Sequence, residues 1–227
     1  MGTREIFLGI VIALSMVFLL TCDKSLEGKT SSAEKQSVNE ITQYKFSFRD
    51  TPGVVRLSRR TQVSQDKIRF FNADGSIWFV FPVTTEQVEN EAFKPFSMKL
   101  DYALLILTCV RDDSAQFEVI VNKETGLKKI IKKSDQTFEL QSWDNFILEL
   151  FAIDFDKKLN PLRSNPSATE PVIKPPQGVF FHPVQIKGDW VQVRIEDTSG
   201  SKPQVRGYGW VKWKEEDKFL IDFFYFA

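Results

Sequence analysis

Thiols and imidazoles are scarce in this chain of 227 residues: two cysteines, Cys22 and Cys109, and one histidine, His182. A nucleophilic thiol needs a base within reach. Cys109 instead sits in the apolar run Ala-Leu-Leu-Ile-Leu-Thr-Cys-Val at 103–110, where a small buried thiol is expected to be an inert core residue. One histidine and two cysteines are too few for a four-ligand zinc site. Two carboxylate pairs stand out, Asp154 with Asp156 and Asp112 with Asp113. The first pair falls on one face of a strand, an arrangement glycoside chemistry can use, although solvated strand charges are the commoner explanation. Asp74-Gly75 hints at a calcium loop but lacks the later oxygen ligands and the terminal glutamate. No glycine-rich phosphate loop is present. No catalytic residue, metal or cofactor is therefore assigned, and the chain reads as non-enzymatic.

Cys22 has a different setting. Arg4 precedes an apolar run over 6–20, Thr21 and Cys22 follow, and the chain then turns polar with Asp23, Lys24, Ser25, Glu27 and Lys29. A spanning helix needs about 20 apolar residues, whereas the apolar region of a signal peptide has about 7–15. The segment resembles the signal peptide of bacterial lipoproteins, with Leu19-Leu20-Thr21-Cys22 as a loose lipobox. It departs from that pattern at Thr21, where Gly or Ala is usual. The resemblance implies cleavage before Cys22, lipidation of its thiol and attachment to a membrane of the bacterial cell envelope, periplasmic or surface-facing. A short uncleaved anchor helix is the alternative. Residues 1–21 are thus expected to be the signal peptide, and 22–42, polar and poor in aromatics, a flexible tether.

Lysine and arginine together number 30, as do aspartate and glutamate, so the net charge is zero. That balance argues against nucleic acid as a partner. The 21 phenylalanines, many in alternating runs, favour β structure. Alternation starts at Tyr44-Lys45-Phe46-Ser47-Phe48-Arg49, read as a strand. The runs 67–71 and 77–81 flank Asn72-Ala73-Asp74-Gly75-Ser76 and predict a hairpin turning at Asp-Gly. A second hairpin is expected from 116–122 and 127–132. Ser142 is placed to cap a short helix, and 151–156 follows as a strand. A β-rich N-terminal domain over 43–150 is expected.

Residues 157–178 carry five prolines and at first suggest a linker. However, Leu159-Asn160-Pro161-Leu162-Arg163-Ser164-Asn165-Pro166-Ser167, then Gly188-Asp189-Trp190, then Gly209-Trp210-Val211 resemble, in order, three landmarks of bacterial SH3 domains. Pro161, Asn165 and an insertion at 199–205 depart from the pattern. The resemblance implies a C-terminal SH3-like β-barrel over 151–227, with 157–178 as an ordered loop within it. The hairpin at 117–132 parallels the one at 190–212; two readings stand, that 43–150 holds a divergent second barrel, or that the likeness of the two hairpins is chance. The expected fold class is mainly β.

Alternation along 190–195 separates Trp190, Gln192 and Arg194 from Val191, Val193 and Ile195, and Trp190 and Trp210 are expected in the core. Tyr208 and Trp213, together with Asn160 and Arg163 from the opening loop, are expected to form a shallow ligand-binding groove. The resemblance implies a cell-wall peptide or an envelope protein as ligand. An accessory cell-wall hydrolase using carboxylates, or a structural subunit of an envelope complex, are the alternatives.

Overall fold

The computed structural model describes residues 44–58, 67–83, 88–134 and 138–226. Cys22, the 1–21 signal segment and the 22–42 tether lie outside the described residues. Residues 41–227 group as one compact unit.

The strands are β1 (Gly53–Leu57), β2 (Lys67–Phe71), β3 (Ile77–Pro82), β4 (Ser97–Lys99), β5 (Leu104–Asp112), β6 (Gln116–Asn122), β7 (Leu127–Lys132) and β8 (Phe138–Ser142). Helix α1 (Trp143–Leu148) follows, then β9 (Ala152–Asp154), β10 (Val179–Lys187), β11 (Trp190–Asp197), β12 (Gln204–Lys212), β13 (Lys214–Glu215), β14 (Lys218–Phe219) and β15 (Asp222–Phe224). The first eight form one sheet in the order β3-β2-β7-β6-β5-β1-β8, with β4 on β5. A second sheet runs β12-β11-β10-β9-β15, and β13 pairs only with β14. The protein is mainly β, and no closed barrel is detected among the described residues. In the second sheet the edge strands β12 and β15 are not paired with each other.

Both expected hairpins form, β2–β3 and β6–β7. At the first turn Gly75 takes φ +83°, a left-handed conformation that glycine adopts without steric cost. Asp74 accepts from the Ser76 amide at 2.9 Å, so this carboxylate closes a turn. Ser142 caps α1 by accepting from the Asn145 amide at 3.3 Å.

The continuous apolar run at 104–109 is explained by burial on both faces. Alternate residues of β1 and β5 serve different cores. Val54 and Ile106 join the cluster shared with α1 and the second sheet. Val55, Leu105, Leu107 and Cys109 join a cluster with Phe70, Phe81 and Phe93.

The first cluster crosses residue 150, the expected domain boundary. Trp143, Phe146 and Ile147 from α1 share it with Phe181, Val191, Val193 and Trp213. Residues 44–49 are not a strand. Their alternation serves aromatic docking: Phe46 stacks on Phe219 with ring centroids 5.5 Å apart, and Phe48 meets Trp213 edge-on at 5.2 Å. Thr51 O accepts from Trp143 Nε1 at 3.0 Å, and the Phe48 amide donates to Asp217 Oδ1 at 3.0 Å. Segments preceding β1 and following β12 therefore close one core.

The 157–178 stretch is ordered loop. Arg163 exchanges two backbone bonds with Trp210, at 2.8 and 2.7 Å, and the Ile173 amide donates to Leu162 O at 2.8 Å. This lays the loop along the edge of β12.

Candidate functional site

The second sheet has one face on the core and one outward. Along β11, Val191, Val193 and Ile195 are buried, while Trp190, Gln192, Arg194 and Glu196 are half-buried. Antiparallel partners share a face. Register sets His182 opposite Arg194 on β10, and Arg194 opposite Tyr208 on β12. His182, Arg194 and Tyr208 thus form one row across three strands. The next row is Gln192 with Trp210, extended by the edge bridge from Trp210 to Arg163.

A short polar chain runs along this face. Arg194 Nη2 lies 3.2 Å from Glu196 Oε2, and Glu196 Oε1 lies 3.6 Å from His182 Nε2. His182 Nδ1–H donates to Phe151 O at 2.5 Å; a carbonyl only accepts, so the proton sits on Nδ1. His182 Nε2 and Arg194 Nε are buried and make no hydrogen bond. Unmet buried polar atoms are costly, and here two lie on one face, beside an exposed ring. Where β11 ends, Arg206 Nε and Nη2 donate to Asp197 Oδ2 at 3.1 and 2.6 Å. The Ser199 hydroxyl, and then Arg206, hold the Asp197 carboxyl below the usual carboxylate range.

Of the four residues expected in a groove, Tyr208 is surface: it is 52% exposed. Arg163 is half-buried on the same face; its Nη1 donates to Glu170 O at 2.6 Å, which pins the 164–170 turn. The other two are corrections. Trp213 is 2% exposed; its Nε1 donates to Gly188 O at 2.9 Å and its ring meets Phe48. Alternation within β12 does not extend to Trp213, because that strand ends at Lys212. Asn160 is buried; its Nδ2 donates to Lys212 O at 2.8 Å and Leu220 O at 3.2 Å, and its Oδ1 accepts from the Lys212 amide at 3.2 Å. It ties the opening loop to the end of β12. Trp190, expected in the core, is half-buried on the outer face, with Lys212 Nζ 5.9 Å from its ring centroid. Trp210 is buried but belongs to neither core cluster.

No protein-family model, curated protein or solved structure matches this chain.

The carboxylate pairs are occupied by local bonds. Asp154 lies 3.1 Å from Lys157 Nζ, and Asp156 Oδ1 accepts from the amides of Lys158 and Leu159 at 2.8 and 3.1 Å. Asp113 Oδ1 accepts from the Ala115 and Gln116 amides at 2.9 and 2.8 Å, while Asp112 pairs with Lys133. Cys109 is fully buried, and burial pushes its thiol up to about 12. Among the described residues no three His, Cys, Asp or Glu are grouped to hold a metal ion. No described helix is long and apolar enough to cross a membrane.

Reading the residues singly missed the His182–Glu196–Arg194 chain. The usable signal was the alternation that puts Arg194 and Glu196 on one face. Pairing that face with His182 required the register of β10 on β11, which a bulge between Pro183 and Gln185 alters.

Proposed function

We propose that this chain is a non-catalytic lipoprotein of the bacterial cell envelope, anchored to a membrane through Cys22. It binds a peptide, cell-wall component or envelope protein with the outer face of its second sheet. The anchor rests on the apolar run that ends at Cys22 before a polar segment. The ligand class rests on the resemblance of 159–211 to bacterial SH3 domains.

One observation carries the binding reading: Tyr208, half out of the fold, stands directly opposite Arg194 on the outward face. Phe180, Val184 and Val205 are also exposed on these strands, at 42, 38 and 53%. An exposed aromatic beside a cation and apolar neighbours gives contact area with little loss of side-chain freedom, the usual make-up of a binding hot spot. Arg194 adds a directed donor for a ligand carbonyl or carboxylate.

The anchor is tested by feeding a bacterial expression host a clickable fatty-acid analogue. The full chain takes up label and sediments with membranes, and Cys22→Ala does neither. Equal labelling of both proteins would overturn the anchor. The binding face is tested by Tyr208→Ala, which should weaken retention on the ligand about 5–30-fold; unchanged retention would overturn it.

A further inference from the structure

A hollow lies away from the Tyr208 row, between the 172–179 segment and the start of β10. Its volume is about 410 Å³, within the range of small-ligand sites. Leu162 and Phe181, both buried core residues, reach it from the inside, and Ile173, Pro175, Pro176 and Val179 wall it. A smaller hollow of about 130 Å³ shares Lys157, Val179 and Phe181 with it. Val172, which also lines the larger hollow, is 51% exposed. Apolar side chains left in water beside a concave apolar surface mark a place where burial is still available.

The lining of the larger hollow carries only positive charge, while Asp154 lines the smaller one. The larger lining includes Lys157 and Lys174 and no carboxylate. Lys157 lays its ammonium 5.3 Å from the Phe181 ring centroid and 5.6 Å from that of Phe155, and pairs with Asp154 at 3.1 Å. Lys174 is exposed and has no ion-pair partner among the described residues. An apolar trough with an uncompensated cation at its mouth complements a ligand with an apolar tail and one negative headgroup. Burial of the tail supplies the attraction, and the lysine selects the sign of the head.

We propose that this hollow binds an anionic single-chain amphiphile of the fatty-acid class. The tail lies along Leu162, Phe181 and Val179, and the carboxylate meets Lys174, with Lys157 beside it. The site is separate from the Tyr208 row and does not depend on it.

The test uses the full chain, titrated with laurate below its micellar concentration and, in parallel, with dodecylammonium of the same tail length. Calorimetry reads affinity, and methyl NMR of Ile173 and Val179 reads location. Laurate is expected to saturate one site and shift both methyls. Dodecylammonium should bind at least tenfold more weakly, Lys174→Glu should weaken laurate at least tenfold with an unchanged melting temperature, and Tyr208→Ala should leave laurate binding unaltered. Equal affinity for the two amphiphiles, an unchanged affinity in Lys174→Glu, or shifts that spare Ile173 and Val179 would each overturn the proposal. So would the absence of laurate binding below the micellar concentration.

Discussion

Leu162 lies against the backbone of Gly209 so closely that a Cβ at 209 would fall 2.6 Å from Leu162 Cγ. Contact this tight is how the 159–163 loop reaches the edge of β12 and lets Arg163 bridge to Trp210. Gly209→Ala should cost about 1–3 kcal/mol, the range of overpacking in a filled site. Leu162→Ala in the same chain should recover part of that loss. Urea unfolding of the single and double variants checks both expectations, and the double variant must be more stable than the sum of the two singles.

The two tryptophans at the ends of the β11–β12 hairpin should behave oppositely to what their sequence context suggests. Trp213→Ala removes a fully buried ring and leaves Gly188 O without its donor, so a loss of about 3–5 kcal/mol is expected. Trp190→Ala uncovers only a half-buried outer position and should cost about 1 kcal/mol, an ordinary value for a single substitution. Thermal melts of the two variants separate the cases.

That reversal shows where the sequence was legible and where it was not. Local signals held: the Asp74-Gly75 turn, the Ser142 cap and the 127–132 return strand all appear where short-range chemistry puts them. The two-faced burial of 104–109 is also visible as an unbroken apolar run. Trp213 and Asn160 were misplaced because their partners come from far along the chain. Phe48 packs on Trp213, and Leu220 O accepts from Asn160; neither contact leaves a mark at spacing two or four. The 44–49 segment shows the same limit in reverse. Its alternation is real, but it meets aromatic rings of α1 and β14 instead of a neighbouring strand.

The shared core predicts the behaviour of fragments. A piece spanning 151–227 lacks Phe46, Phe48, Trp143 and Phe146, whose rings meet Phe219, Phe223 and Trp213 in the intact chain. It should show poorly dispersed amide NMR signals and no cooperative melt, while a piece spanning 41–227 should melt as one unit. A cooperative transition in the shorter piece would mean the second sheet is self-sufficient.

Cys109 offers a chemical reading of the second core cluster. The thiolate is the reactive form, and burial pushes this thiol up to about 12. In the Cys22→Ala chain, a thiol reagent at pH 8 should leave the folded protein unlabelled over hours and label it fully in denaturant. Prompt labelling in the folded state would place Cys109 at an accessible surface, contrary to its burial in the core cluster that also holds Phe70, Phe81 and Phe93.

The claim that the outer face of the second sheet is the binding surface is tested most directly by retention. The purified full chain and its Tyr208→Ala variant are titrated against isolated peptidoglycan sacculi and, separately, against immobilised envelope proteins, both in detergent so that the lipid anchor itself retains nothing. The wild type should be retained saturably on one of the two. Tyr208→Ala should bind about 5–30-fold more weakly, the equivalent of about 1–2 kcal/mol at a modest hot spot, with its melting temperature within a degree or so of wild type, as for a surface substitution. Retention that is indifferent to Tyr208→Ala, or absent on both surfaces, would contradict the account.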